Sequence, residues 1–330
     1  MKNGNRKFSK GDVMHVYQRA IHGFNIFYTL NDYLVFYTIF SVFAVRFDVC
    51  VLALCLMVDH FHALLITESK AGLSKFIASV TSLYARLFNE TVGRKGQLFD
   101  KSFGSAPKFS EKQVRTVIPY VFNNPVEKNL CSDPNDYRWN FMAYLLSDFP
   151  FSSKVDLKKA SRQLRSAIKE VKYCHENGAW LNYAQLDRIY KSLTVSEQSQ
   201  LTDYIIKIYS PFDKEKLVSY YKSHEMMNIA IRSTTGKEYD IKEDYHKSSD
   251  KYYSDIEYYI KGTLSAFPKS LLNLSVEQKL DLAHQISSNT RATNRQIAKY
   301  LHLPLKEVAL NFLIFSHMLK SAAPVEGKRL

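Results

Sequence analysis

The sequence predicts an α+β fold, in which a sheet domain with helices packed on one face is followed by an all-helical C-terminal region. Three observations carry this. Strand-like and helical patterns alternate from Asp12 to Phe122. The most apolar run, Val49 to Ile66, is rich in the residues of a buried strand. Beyond Pro150 only helical patterns remain. In order, Asp12 to Arg19 reads as an opening strand. Asn31 to Phe47 reads as a helix capped by Asn31 or Asp32, with apolar residues recurring at three and four. Val49 to Ile66 reads as one long buried strand ending in two histidines. Leu73 to Glu90 has helical periodicity that Gly93 to Lys95 breaks, Leu98 to Lys108 supplies a strand or loop, and Glu111 to Phe122 a further helix.

Within the apolar run, His60 and His62 flank Phe61. In a strand alternate side chains leave on the same face, so both imidazoles project together while Phe61 turns to the other side. Such a pair can grip a divalent metal, and it can equally be two satisfied polar residues at a strand end. A second segment, Val117-Ile-Pro-Tyr-Val-Phe-Asn-Asn-Pro-Val126, places Tyr120 and Asn124 on one helix face if it is helical up to Pro125.

His60-Phe61-His62 followed by Tyr120-x-x-x-Asn124-Pro-Val126 resembles the single-tyrosine HUH (IS200-like) transposases, and within them the REP-associated tyrosine transposases. The resemblance runs from about Met14 to Trp139. It takes in His15-Val-Tyr-Gln-Arg19, Phe88-Asn89, Gly96-Gln-Leu-Phe99 and Asp136-Tyr-Arg-Trp139. It implies a ferredoxin-like antiparallel sheet. It also implies Tyr120 as nucleophile, His60, His62 and Asn124 as ligands of Mg²⁺ or Mn²⁺, and a 5′-phosphotyrosine link to single-stranded DNA. Imidazole alone equally accepts zinc or nickel. Substrates in this family fold into hairpins at palindromic repeats. The basic and aromatic residues Phe99, Lys101, Phe103, Lys108 and Arg115 are candidates to hold such DNA, or else are core aromatics and solvated cations. Val58, Gln18 and Ala20 depart from the family's usual Pro, Asn and Gly.

Tyr84 competes with Tyr120 for the nucleophile's role, because it also lies on a helix after the histidines. Its neighbours Leu83, Leu87 and Phe88 suggest burial, and no ligand-type residue follows it four positions on. Tyr120 is preferred. With 22 tyrosines in the chain, only its Asn-Pro context and the histidine pair raise it above a structural role.

Composition agrees with a nucleic-acid partner. The 330-residue chain has a formal charge of +13, with a pI near 9.3. Cations that neutralise phosphates release counterions and so give affinity without sequence preference. Hydrophobic residues at 46% exclude a disordered chain. Cys50, Cys55, Cys131 and Cys174 have neither CxxC nor metal-finger spacing, which argues against structural zinc and a disulfide framework. The start, Met1 to Asp12, is polar, and the run Val49 to Val58 falls short of the roughly twenty residues of a membrane helix. A cytoplasmic, nucleoid-associated protein that binds no membrane is expected, with a homodimer left open.

Residues 1–150 are therefore expected to form the transposase domain, 151–231 a helical region, 232–265 a polar linker and 266–330 a helical unit. In that last unit Thr293 to Leu310 has a helix-turn-helix pattern, with His302 where the turn usually has Gly. Two helices of a small bundle would give the same pattern. Three functions compete. The first is a metal-dependent transposase that cleaves and rejoins single strands. The second is a non-catalytic DNA-binding regulator derived from one, and the third a metal hydrolase that uses water in place of tyrosine.

Overall fold

In the computed structural model the described residues are 8–100, 102–233, 250–263 and 268–321, without the side chains of 268–269 and 315–321. The first part runs β1 (Val13–Arg19), α1 (Leu30–Arg46), β2 (Cys50–Leu56), β3 (His60–Ile66), α2 (Lys70–Val92), β4 (Gly104–Lys108) and α3 (Glu111–Glu127). The four strands form one antiparallel sheet in the order β2-β3-β1-β4. With two helices inserted between the strands, this is the ferredoxin-like arrangement expected from the resemblance. α1 and α2 cover one face, where Phe36 meets Phe61 and Tyr84 with ring centroids 5.2 Å from each. α3 lies beyond that core motif and covers the opposite face, packing on β2, β3 and β4.

The run expected as one strand is a hairpin. β2 and β3 are joined through Met57–Asp59, closed by Met57 N–H donating to the His60 carbonyl at 2.8 Å. The turn has no Gly or Asn-Gly signal because its polar backbone is satisfied from a distance. Ile26 N–H donates to the Val58 carbonyl and Ala20 N–H to that of Asp59, each at 2.8 Å. The histidines therefore open β3. The cap of α1 also differs from expectation. Thr29 is the N-cap and Asp32 closes a capping box from the third helical position, accepting from Thr29 N–H at 2.8 Å. α2 ends at Gly93, which adopts φ 66° as a left-handed C-cap.

Beyond the sheet, α4 (Arg162–Glu176), α5 (Tyr183–Lys191), α6 (Val195–Ile208), α7 (Lys214–Ser219) and α8 (His224–Ser233) belong to the same compact unit. The stretch from Asp213 to Ile231 is divided between α7 and α8. Buried polar bonds tie these helices to the sheet domain. Tyr183 Oη donates to Asp32 Oδ1 and Tyr37 Oη to the Ile206 carbonyl, both at 2.8 Å. Arg138, Tyr144 and Ser152 converge on the buried Asp203 carboxylate.

A second unit takes in the His22–Asn25 turn and the chain from Asp250. It contains α9 (Tyr253–Thr263), α10 (Val276–Asn289), α11 (Asn294–Leu301) and α12 (Leu305–Ser321). α11 and α12 are joined through His302, which takes the left-handed conformation at φ 54°. Its ring explains why glycine is not required there. It hydrogen-bonds the Asn25 carbonyl at 2.8 Å and stacks on Phe24 at 4.5 Å. The described part of α12 exposes Leu305, Leu310, Leu313 and Ile314. Most of the expected polar linker, residues 234–249 and 264–265, lies outside the described residues.

Gly104 faces Tyr17 across the β1–β4 pair. A Cβ at Gly104 would run into the Tyr17 ring, so the aromatic is seated on bare backbone. Gly104→Ala is expected to lower stability by about 1–3 kcal/mol. Denaturant unfolding of the two single variants and of Gly104→Ala with Tyr17→Ala should show strong coupling. Additive effects would mean that the ring does not rest on Gly104.

Candidate active site

The site is built on the two central strands. The β1–β3 register sets Tyr17 opposite His62 and Arg19 opposite His60. With period-two alternation, His15, Tyr17 and Arg19 share a face with His60 and His62. The rings are contiguous. His15 Nε2 lies 3.0 Å from His62 Nδ1, and the His60 and His62 centroids are 5.0 Å apart. Tyr17, half-buried, stacks along His62 at 6.1 Å. All three histidines are buried.

Each strand histidine is held through Nδ1. His60 Nδ1 is 2.5 Å from Asp59 Oδ1, and His62 Nδ1 meets His15. This leaves Nε2 as the outward nitrogen of both rings. His60 Nε2 is buried and has no hydrogen-bond partner among the described residues. A carboxylate or a second imidazole behind a ligand histidine is the arrangement that fixes the tautomer needed for metal binding. The His62 imidazole is pushed well below its ordinary pKa, first by burial and then by the neighbouring His60, His15 and Arg19. It therefore stays neutral, which is the ligand form.

Tyr120 comes over this face from α3. Its ring centroid is 5.5 Å from that of His62 and 5.6 Å from that of His15, both edge-on. The side chain is 1% exposed, among Leu64, Leu52, Met227 and Ile231 in one core cluster. α3 continues through both Pro119 and Pro125, further than expected. Pro119 has no N–H for the carbonyl of Arg115, one turn back. Tyr221 Oη, from the segment between α7 and α8, donates to that carbonyl at 3.3 Å. Asn123 Nδ2 donates to the Ile231 carbonyl of α8 at 2.6 Å. The helix that presents Tyr120 is thus fastened on both sides of it by the middle helices. Asn124 is buried one turn further on.

The residue types fit a divalent cation in part. Among the described residues no group of three or more His, Cys, Asp or Glu side chains is placed to hold a metal. The two strand imidazoles therefore need a third donor of another kind, and the Asn124 amide oxygen is of that kind.

The remaining candidates do not gather at this face. Phe99 is buried on the other side of the sheet, against Phe61 at 6.4 Å and Tyr84 at 6.1 Å. Phe103 is buried beside it in sequence. Lys108 is buried and pairs with Val13, at the end of β1 remote from His60. Arg115 is exposed on α3, and Lys101 lies outside the described residues. Tyr84 is fully buried, donates to the Ile26 carbonyl at 2.7 Å and has its phenol pushed well above its usual range by burial. It is a core residue. The sequence reading passed over His15, Tyr17, Arg19 and Asp59 as site residues. The alternation His15-x-Tyr17-x-Arg19 carried the signal, but only the strand pairing says which face it shares.

Residues 20–124 match the family model described as Transposase IS200 like. A solved structure of a REP-associated tyrosine transposase bound to a REP hairpin is similar to this chain at 15% identity and a TM-score of 0.38. The match covers 49% of this chain and 98% of that one. Among curated proteins none matches at a significant level. No helix of the described residues is long and apolar enough to cross a membrane.

Because His62 binds its proton less readily folded than unfolded, the unfolded chain takes up more protons below its ordinary pKa of about 6.5. Its contribution to stability is complete above that pH and is lost as the pH falls towards the lower folded value. In metal-free protein, His62→Gln should flatten the acid loss of stability just below pH 6.5. An NMR titration should find the His62 ring neutral where an exposed histidine is already charged. A normal His62 titration would contradict its burial between His60 and His15.

Proposed function

We propose, with support from the match of residues 20–124 to the family model described as Transposase IS200 like, that the chain cleaves and rejoins single-stranded, hairpin-forming DNA through a 5′-phosphotyrosine link on Tyr120. The observation that carries this reading is the edge-on contact of Tyr120 with His62 and His15, with the bonded His60 on the same face. A nucleophile beside two oriented ligand histidines is the constellation that phosphodiester cleavage needs.

In the proposed reaction the Tyr120 oxygen forms a bond to phosphorus and the bond to the 3′ oxygen breaks. The phenol proton leaves and the 3′ oxygen takes one up. The link conserves the phosphodiester, so the freed 3′ hydroxyl can attack it and restore the strand. His60, His62 and Asn124 would hold Mg²⁺ or Mn²⁺. When bound, such a cation polarises a nonbridging phosphate oxygen and favours the phenolate, whose ordinary pKa of about 10 leaves it protonated at neutral pH. Asp59 and His15 orient the two imidazoles from behind. α3, fastened at Arg115 and Asn123, keeps Tyr120 over them. Hairpin DNA is the proposed substrate, and the basic charge of the chain supports a polyanion.

Tyr120→Phe should abolish a labelled covalent protein–DNA band on a denaturing gel, formed with hairpin DNA and Mn²⁺ and absent with EDTA, while leaving native-gel binding intact. An adduct that persists in this variant would transfer the role to another residue. Cleavage without an adduct would favour a water nucleophile. Asp59→Asn should weaken Mn²⁺ binding by about 10–100-fold in calorimetry, without loss of fold. Unchanged affinity would remove the metal from His60.

A further inference from the structure

We propose that the groove between α4 and α5 is a second DNA-contacting surface, which holds backbone phosphates without reading sequence. It lies outside the residues 20–124 that match the family model, and it rests on the reading of the chain as a DNA enzyme. The groove has a volume of about 410 Å³. It is lined by Arg162, Gln163, Ser166 and Glu170 of α4 and by Arg188 and Ser192 around the end of α5. That volume lies within the range of ligand sites, about 300–1,000 Å³.

Charge singles this region out. From Lys154 to Lys172 stand seven cations against two carboxylates, an excess of +5 within a chain of formal charge +13. All seven are exposed. The buried side of α4 is carried by Leu164, Ala167, Ile168, Val171 and Cys174, so its packing does not need the cations. As a merely solvated face the pattern is a poor one. Arg162, Arg165, Lys169 and Lys172 follow one another at spacings of three and four, where like charges on a helix repel. The first turn holds no acidic residue, and Arg162 and Arg165 stand near the end of the helix whose dipole disfavours cations. A bound anion reverses both effects.

The lining fits a phosphate backbone. Arg162 has no ion-pair partner among the described residues, while Arg188 is held by Glu170 at 2.6 Å. Ser166 stands one turn from Arg162 on the same stripe of α4, and Lys169 continues that stripe. Arginine, lysine, serine and glutamine are side chains that contact phosphate and sugar oxygens. No aromatic residue lines the groove among the described residues, so it offers a base nothing to stack on. The groove is also set apart from the chemistry. α5 is fixed to α1 by Tyr183 Oη on Asp32 at 2.8 Å, and α1 covers the sheet face opposite the histidines. Phosphates held here therefore belong to flanking DNA and not to the bond that is cut.

The test is fluorescence anisotropy with a labelled hairpin carrying long single-stranded tails, over a salt series in EDTA so that no cleavage chemistry takes part. Arg162→Gln combined with Lys169→Gln should weaken binding equally for tails of different sequence. It should also reduce the slope of log K against log salt by about 1–2, since each phosphate contact contributes about 0.7–0.9. Ser166→Trp fills the groove without changing charge and should weaken binding about fivefold. Glu170→Gln frees Arg188 and should tighten binding, a change that loss of fold would not produce. An unchanged slope, or a Ser166→Trp chain that binds as the wild type does, would overturn the proposal. So would displacement of the DNA by millimolar inorganic phosphate at constant ionic strength, which would mark a small-anion site instead. If the variants weaken binding while the wild-type chain forms no covalent adduct with Mn²⁺, the cleavage reading fails and the groove stands. An adduct, with binding unchanged in the variants, has the opposite meaning.

Discussion

The pairing of β1 with β3 at the centre of the sheet is the constraint on which the rest depends. Its register sets Tyr17 against His62 and Arg19 against His60. Because side chains alternate, a slip of β3 by one residue would send His60 and His62 to the α1–α2 side, away from His15, and bring Phe61 under Tyr120. Both faces of β3 are buried, so such a slip would exchange imidazoles for apolar packing throughout. The register is thus held by the whole core. The arrangement of His15, His60, His62 and Tyr120 therefore follows from packing of the whole core.

The tyrosine helix depends on a different part of the chain. Two prolines inside α3 would weaken it if it stood alone, since each removes a backbone donor. The Tyr221 hydroxyl supplies the donor that Pro119 lacks, and Asn123 anchors to α8. The middle helices therefore complete the element that carries Tyr120. This gives a physical reason for α4–α8 to share one compact unit with the sheet, although their sequence reads as a separate helical region.

What was legible in the sequence followed local periodicity. The opening strand, the helix of Tyr84, the helix of Tyr120 and the apolar character of residues 49–66 could all be read from spacing. The β2–β3 turn could not, because Val58 and Asp59 are satisfied by Ile26 and Ala20, which lie far away in sequence. The α1 cap was misplaced for a subtler reason. Asp32 does bond the helix start, but from inside it, where the pattern of a capping residue and that of a capping-box partner look alike. His15 was visible as part of a motif, yet its contact with His62 joins two strands, and no single-strand pattern contains it. The burial of Phe99 against Phe61 and Tyr84, likewise, is set by strand pairing that spacing does not contain.

The bland reading of His60 and His62, as satisfied polar residues of a strand, can now be weighed by magnitude. Burying a polar atom without a partner costs about 1–3 kcal/mol, and apolar side chains at the same positions would avoid it. His60 Nε2 is such an atom, and burial first, then the neighbouring His60, His15 and Arg19, pushes the His62 pKa well below its ordinary value. A strand that served only the core would have no reason to keep three imidazoles and an aspartate under a buried tyrosine. Structures retain such arrangements where function requires them, and local rules are broken most at those places.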